Sequence, residues 1–314
     1  MRRLTVRLTP RSDAAIVADL ARRHRERWSP SPAGWLSEEF IVSAYDMPGL
    51  EPDNDFWTFE LDGRHAAGCA VFHQEPYSEI DVYAFLDPDL SDEDARLVGH
   101  GLIDRATTSA QRYADRAGQD VEPMLCVGVF SGEPMREVAS EAGFTYVRSG
   151  FVMRRDLTRE ETAPPLPEGV RTRPIDVEAD THAVGEVVTA FADHHGDQVF
   201  TEDQMHHFMT GPTARPDLSR LAEDVNGPCG FVLCSIGPDG GSVDILATLK
   251  RARGRGIGTA LLHQAFQALA GAGCRVVRLN VDAENTTGAL RLYEGAGMTR
   301  ESELEQWMRP IPRT

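Results

Sequence analysis

The sequence predicts an α/β (α+β) fold that is repeated in two tandem domains. The chain of 314 residues is long for one ordinary domain and sufficient for two. A charged stretch ends in Pro164, Pro165 and Pro167, which is typical of an extended linker between domains. The two halves also share a degenerate pattern, which indicates a duplicated α/β unit.

The duplication is clearest near the end of each half. Residues 142–145 are Ala-Gly-Phe-Thr, and residues 296–299 are Ala-Gly-Met-Thr. Each half also begins with a short run that is typical of a strand and ends at a proline, at 4–10 and at 170–174. The predicted bounds are 1–157 for the first domain, 158–169 for the linker and 170–314 for the second domain.

In the first half, the residue pattern predicts a strand at 4–8 and a hairpin over 57–71. Ser91 is expected to cap a helix, with Asp94 three residues later as a weak capping box. Acidic residues in that first helical turn would favour the helix dipole.

The most informative elements lie in the second half. Apolar residues over 243–249 predict a strand, which is followed by a glycine-rich turn over 253–258. The amphipathic run 259–270 predicts a helix, and alternation over 276–281 predicts the next strand.

The order of strand, turn and helix makes 253–258 a candidate anion site. Backbone N–H groups converge at the positive end of a helix dipole there, and glycine lets a phosphate approach closely. A P-loop would need lysine and then serine or threonine after its last glycine, but residues 257–259 are Ile-Gly-Thr. A dinucleotide fingerprint would place its third glycine one position after Gly258, with Asp282 as its acidic residue. A plain turn without a ligand is the third alternative.

Read as Arg-x-x-Gly-x-Gly, residues 253–258 resemble the pyrophosphate-binding motif of the GCN5-related N-acetyltransferases. The run 285–298, with Leu-Tyr-Glu on a short predicted helix, is similar to a second signature of that superfamily. Asn285 and Tyr293 are eight positions apart here, whereas seven separate them in many members. The tandem organisation resembles the mycothiol synthase-like group, more specifically over 230–308 than in the first half.

The resemblance implies a mixed, mostly antiparallel sheet flanked by helices in each domain, with acetyl-coenzyme A as co-substrate. It implies Tyr293 as the phenolic acid that protonates the leaving thiolate. The family's glutamate position falls on Ser242, so we predict Asp244, two residues later on the same strand face, as the general base. The predicted cofactor-binding residues are Leu246, Thr248, Arg253, Gly254, Arg255, Gly256, Ile257, Gly258, Thr259 and Asn285.

The first copy is expected to be chemically silent. Residues 87–94 hold five carboxylates where the glycine-rich turn should lie, and these would repel a pyrophosphate. Ala139 stands at the position that corresponds to Tyr293. We expect residues 1–157 to brace the second domain and to line part of the acceptor pocket.

The net charge of −17 argues against nucleic acid or an anionic membrane as a partner, since both need a basic surface. A basic cluster within this acidic chain suits a polyanion such as coenzyme A: Lys250, Arg251, Arg253 and Arg255. No apolar run approaches the length of a membrane span, and the first residues lack a signal-peptide core. The five cysteines include no Cys-x-x-Cys, so a reducing cytoplasm is the predicted location.

Two histidine pairs, His194-His195 and His206-His207, lie among carboxylates. Histidine and carboxylate suit zinc or iron, but neighbouring residues on a helix point about 100° apart. The spacing matches no familiar metal motif, so no metal is predicted and a helix-end or pocket-lining role is favoured.

These features predict an acetyl-coenzyme A-dependent N-acetyltransferase in which only the second domain is competent. Its acceptor would be the amine of a small molecule, acetylated by direct transfer in a ternary complex. A non-catalytic acyl-coenzyme A sensor or scaffold is one alternative, and a dinucleotide-dependent oxidoreductase is another. The identity of the acceptor and the oligomeric state stay open.

Overall fold

The computed structural model describes residues 2–32, 36–191, 201–283 and 288–313. Its contacts divide the chain into two compact units, Met1–Gly150 with Ser302–Thr314, and Phe151–Glu301. The first unit therefore includes a segment from the far end of the sequence. Residues 158–169 lie within the second unit, and the domain and linker bounds given above stay a prediction.

The first unit begins with a strand and a helical segment that precede its main hairpins. Its elements are β1 (Leu4–Leu8), α1 (Ala14–Trp28), α2 (Glu38–Tyr45), α3 (Pro52–Asp55), β2 (Phe56–Leu61), β3 (Arg64–His73), β4 (Glu79–Leu86), α4 (Asp92–Ala114), β5 (Met124–Phe130), α5 (Met135–Glu141) and the first part of β6 (Thr145–Asp156), which continues into the second unit at Phe151.

The sheet of the first unit is mostly antiparallel. Strands β1 to β4 pair in sequence order as antiparallel neighbours, while β4 and β5 pair in parallel. Asp62 and Gly63 both adopt positive φ between β2 and β3, as a two-residue hairpin turn requires. Residues 304–310 pair antiparallel with β5, so the late segment of the chain contributes a strand to this sheet.

The second half of the chain repeats this order of elements, except that α3 has no counterpart among the described residues. Its elements are β7 (Arg171–Pro174), α6 (Val177–Phe191), α7 (Glu202–Thr210), β8 (Arg220–Asp224), β9 (Gly227–Gly237), β10 (Gly240–Thr248), α8 (Ile257–Gly271), β11 (Val276–Asp282), α9 (Ala289–Gly295) and β12 (Thr299–Pro310). The part of β12 from Ser302 onwards belongs to the first unit.

Strands β7 to β10 are antiparallel neighbours, and β10 and β11 are parallel because α8 connects them as a crossover. The apolar face of α8, including Leu261, Leu262 and Phe266, is fully buried in the core of the second unit. The predicted mixed, mostly antiparallel sheet flanked by helices is therefore confirmed in each unit. None of the helices in the described part of the chain is long and apolar enough to cross a bilayer.

Candidate functional site

The glycine-rich turn lies between β10 and α8, as the sequence predicts. A short 3₁₀ turn over Lys250–Ala252 is followed by Gly254 at φ +74° and Gly256 at φ +86°. Gly256 precedes Ile257, the first residue of α8, in the left-handed conformation. L-amino acids with a side chain rarely adopt this region, so glycine is needed at both positions for backbone conformation.

The backbone N–H groups of residues 254–259 form a continuous run without an internal partner. Within the ranges that the structure describes, none of these six groups donates a hydrogen bond. The first N–H of α8 with an intramolecular acceptor is that of Ala260, which donates to the Gly256 carbonyl at 3.0 Å. Unpaired N–H groups at the positive end of a 15-residue helix are a binding site for a phosphate or pyrophosphate.

An open strand edge leads away from this turn. Strands β10 and β11 pair only at Gly241 with Val277 and at Ser242 with Arg278 among the described residues, so the two strands separate after Ser242. The Leu249 N–H donates to the Cys229 carbonyl on β9 at 2.9 Å.

The hydrogen bond from Leu249 to Cys229 determines which residues of β10 direct their backbone groups towards β9. Antiparallel strands direct the backbone groups of every second residue towards the same neighbour. The groups of Ala247 and Leu249 therefore face β9, and those of Leu246 and Thr248 face the gap. The structure thus places both residues where an amide-bearing chain could hydrogen-bond to them.

Arg253 attaches the turn to the strand. Its Nε donates to the Thr248 carbonyl at 3.1 Å, which holds the start of the loop against the end of β10. Arg253 thus has a positioning contact, in addition to the ligand-binding role that the sequence predicts for it.

The basic cluster beside the turn is partly neutralised by Asp224. Arg251 Nη1 donates to both oxygens of the Asp224 carboxylate, at 3.0 and 2.8 Å, and Arg255 Nη1 donates to one of them at 3.1 Å. The Asp224 side chain is only 4% exposed, and the Asn226 N–H also donates to it at 2.8 Å. The backbone hydrogen bond and the two arginines lower the pKa of Asp224, so it stays ionised. Recognition of an anion at this turn therefore depends more on backbone N–H groups than the sequence suggests.

Asp244 stands at a β-bulge. The register between β10 and β9 shifts between Val243 and Ile245, which leaves Asp244 as the extra residue. Ser235, which is paired with Ser242 across the strands, donates to the Asp244 carboxylate at 3.0 Å. Asp244 therefore shares a face with Ser242, as the sequence argument requires.

Its surroundings favour the protonated form of Asp244. Desolvation raises the pKa of Asp244 above its ordinary value, and hydrogen bonds from Ser242 and Ser235 offset part of that increase. The Asp244 side chain is exposed, so it can exchange a proton with solvent, and in its ionised form it can accept a proton.

Tyr293 lies on α9 and is 8% exposed, within the core of the second unit. Burial raises the pKa of its phenol to about 12, so the hydroxyl keeps its proton at neutral pH. No described residue forms a hydrogen bond with that hydroxyl. A Cβ added at Gly258 would lie 3.4 Å from Leu292, the residue before Tyr293, so α9 packs beside the first turn of α8.

The structure brings the turn, the open edge of β10 and α9 into one region of the second unit. Asn285 falls outside the described residues. Asp244 and Tyr293 are not joined by a hydrogen bond within the described ranges, so their catalytic roles stay predictions.

The histidine pairs have no described metal site. His194 and His195 fall outside the described residues, and His206 lies on α7 with its Nε2 3.5 Å from Glu178. In the described part of the chain no three histidine, cysteine or acidic side chains are arranged to hold a metal ion.

Two residues of this region are absent from the sequence prediction. Asp224 precedes the turn Val-Asn-Gly at 225–227, and that sequence predicts a hairpin. It does not predict that Asp224 contacts the distant residues Arg251 and Arg255. Ser235 meets Asp244 only through the register of β9 and β10. Both contacts depend on strand pairing, which a local pattern does not determine.

Comparisons with known proteins agree with this site. The model of the Acetyltransferase (GNAT) family matches residues 186–298, which contain the turn, the open strand and Tyr293. A mycothiol acetyltransferase of Thermobispora bispora is 35% identical over 171 residues, which cover 52% of this chain and 58% of that relative. The chain thus spans less than two thirds of that relative. A mycothiol acetyltransferase of Actinosynnema mirum is 29% identical over 286 residues, which cover 83% of this chain and 90% of the relative.

Solved structures share the fold over the whole chain. A GCN5-related N-acetyltransferase from Sphaerobacter thermophilus matches with a TM-score of 0.77 and 24% identity, over 99% of this chain and 97% of that one. A tandem GNAT protein from the clavulanic acid biosynthesis pathway matches with a TM-score of 0.72 and 13% identity, over 100% of both chains. Residues 186–298 therefore carry a domain of the Acetyltransferase (GNAT) family, and the fold of the whole chain is similar to that of a tandem GNAT protein.

Proposed function

We propose that the second unit binds acetyl-coenzyme A and transfers its acetyl group directly to the amine of a small molecule, in a ternary complex. The observation that carries this proposal is the run of six unpartnered N–H groups over 254–259, next to the open edge of β10. The N–H groups suit a diphosphate, and the backbone groups of Leu246 and Thr248 suit the amides of a pantetheine arm. Asn285 would complete the cofactor contacts that the family resemblance implies.

Acetyl-coenzyme A supplies an activated thioester when it is bound. Asp244 takes the proton that the amine loses as its nitrogen bonds to the carbonyl carbon, either directly or through one water. Tyr293 gives its phenolic proton to the sulfur as the carbon–sulfur bond breaks, and it recovers a proton from solvent. Asp244 then releases its proton to solvent, which restores both side chains, and no covalent intermediate forms on the protein.

The acceptor is proposed as a small molecule with a primary amine. The two relatives described above are both mycothiol acetyltransferases, and this supports a small-molecule acceptor. The net charge of −17 is compatible with a cationic amine.

An assay of thiol release tests the proposal. Acetyl-coenzyme A, the full chain and a panel of amines are mixed, and the free thiol is measured with a thiol-reactive chromophore. Amine-dependent release, with the acetylated amine seen by mass spectrometry, is the expected result. Coenzyme A binding without release for any amine would favour an acyl-coenzyme A sensor. Nicotinamide-dependent absorbance without coenzyme A binding would favour an oxidoreductase.

Activity is expected to fall as the pH drops through the pKa of Asp244, because only the carboxylate can accept a proton. Ser235→Ala removes a hydrogen bond that stabilises this carboxylate, so the acid limb of kcat/KM should move to higher pH. The profile is measured between about pH 5 and pH 9, the range in which such limbs are read. An unchanged limb in Ser235→Ala would show that another group is the base.

Asp244→Asn is expected to lower kcat by about 100-fold while raising thermal stability at neutral pH. The folded-state pKa of Asp244 is raised, so its ionised form is less favourable in the fold than in the unfolded chain. The gain in melting temperature should be present above that pKa and should vanish below the ordinary aspartate pKa of about 3.9. Calorimetry at the two pH values checks the sign, and a loss of stability at neutral pH would contradict it.

A further inference from the structure

His24 and Glu133 form a buried polar pair in the first unit. Their side chains are 3% and 2% exposed, and His24 Nε2 lies 3.3 Å from Glu133 Oε1. Burying polar groups at this depth costs free energy unless each one finds a partner. Their partners lie on two strands of the first unit.

The strands of the two units correspond around this pair, apart from the extra residue at the Asp244 bulge. Parallel pairing joins Asp81 to Cys126 in the first unit and Ser242 to Arg278 in the second. The Asp87 N–H donates to the Ala66 carbonyl at 2.8 Å, which repeats the bond from Leu249 to Cys229 in the second unit. Leu86 therefore corresponds to Thr248, and the end of β5 corresponds to the end of β11.

The strand gap is also repeated. In the first unit β4 and β5 pair from Glu79 to Val82 and then separate, as β10 and β11 do after Ser242. By the same alternation, the backbone groups of Leu86 face this gap rather than β3. The first unit thus keeps the open-edged architecture on which the proposed carrier site of the second unit depends.

His24 and Glu133 close that gap from within. His24 Nδ1 lies 3.2 Å from the Leu86 nitrogen and 3.1 Å from the Leu86 oxygen, at the position where Thr248 presents its backbone to the gap. On the other side, Glu133 Oε2 accepts a hydrogen bond at 2.9 Å from the N–H of Phe130, the last residue of β5. The ring and the carboxyl group therefore bridge the ends of the separated strands.

The helix that follows the gap is capped by the chain itself and has acidic residues in its first turn. Ser91 caps α4 and accepts from the Asp94 N–H at 3.2 Å, as the sequence predicts. Asp87, in the loop before it, is bound by Arg23 at 2.8 Å. The pairing of β4 with β3 also has no bulge like the one at Asp244.

We infer that the first unit is a carrier groove sealed from within by His24 and Glu133, so that each chain binds one acyl carrier. The inference rests on the proposed function, because the groove is identified by its correspondence to the second unit. Burial lowers the pKa of His24 to about 4, so the ring is neutral at pH 7 and offers one donor and one acceptor nitrogen.

The first test is calorimetric titration of the full chain with coenzyme A. One molecule per chain is the expected stoichiometry. Two molecules per chain would show that the groove of the first unit is not sealed. Absence of any binding would contradict the proposed function instead. Amide exchange at Leu86 would then still decide whether the groove is sealed.

Amide hydrogen exchange of the full chain, read by NMR, is the second test. The Leu86 amide should exchange slowly whether or not coenzyme A is present, while the Thr248 amide should slow by about tenfold or more on binding. His24→Ala should speed Leu86 exchange by about tenfold, because it removes the ring nitrogen that accepts from the Leu86 N–H. Slowing of Leu86 by coenzyme A, or no response of Leu86 to His24→Ala, would overturn the inference. If His24→Ala fails to fold, the unsubstituted chain still decides it.

Discussion

Gly256→Glu is expected to abolish coenzyme A binding, with a loss of affinity of about 100-fold or more. A carboxylate at this position would lie beside the N–H groups of residues 254–259 and would repel a diphosphate. It would also occupy the positive end of the α8 dipole, which the diphosphate would otherwise bind. Isothermal titration with coenzyme A measures the loss directly. Binding that survives the substitution would remove this turn from the cofactor site.

Gly273→Glu is the matched control for this change. Gly273 also has a positive φ, +94°, and a Cβ there would meet no atom within 4 Å, as at Gly256. Both glutamates would therefore bear the same backbone strain of about 1 to 2 kcal/mol. Only the one at the start of α8 should lose coenzyme A, whereas both should lose similar thermal stability. Equal loss of binding in the two variants would show that strain is the cause.

Tyr293→Phe is expected to lower kcat by about 100-fold or more while leaving coenzyme A affinity within about twofold. The phenylalanine ring fills the same buried space, and only the proton that would reach the leaving sulfur is lost. Thiol-release kinetics give kcat, and titration gives the dissociation constant. Turnover that stays intact would assign the proton donor elsewhere.

Tyr113→Phe gives the contrast that separates chemistry from stability. The Tyr113 hydroxyl, which is fully buried in the first unit, donates to Asp55 at 2.7 Å. Its loss should lower the free energy of unfolding by about 1 to 3 kcal/mol and leave kcat unchanged. Tyr293→Phe should do the reverse, because no described group forms a hydrogen bond with the Tyr293 hydroxyl. If kcat falls in both variants, losing a buried hydroxyl lowers kcat indirectly, and the result for Tyr293→Phe does not identify a proton donor.

Local patterns in the sequence predict the elements that carry the site. Alternation and apolar runs locate β10, α8 and β11 to within a few residues, and positive φ explains why glycine occupies 254 and 256. These features depend on neighbours along the chain, so the order of residue types is sufficient to predict them.

Contacts between distant residues could not be predicted in this way. Asp224 reaches Arg251 and Arg255 only because β8 and β9 form a hairpin beside the turn. The bulge at Asp244 depends on how β10 pairs with β9. His24 and Glu133 come from segments that meet only once the first unit has folded.

The strand at 304–310, which pairs with β5, has a consequence for synthesis on the ribosome. The first unit cannot complete its sheet until this strand has left the exit tunnel, so β5 is exposed as an edge while the rest of the polypeptide is translated. An exposed edge is a template for aggregation. A fragment that stops at residue 157 lacks the strand for the same reason, and it is expected to need a chaperone or the missing peptide in trans to stay soluble.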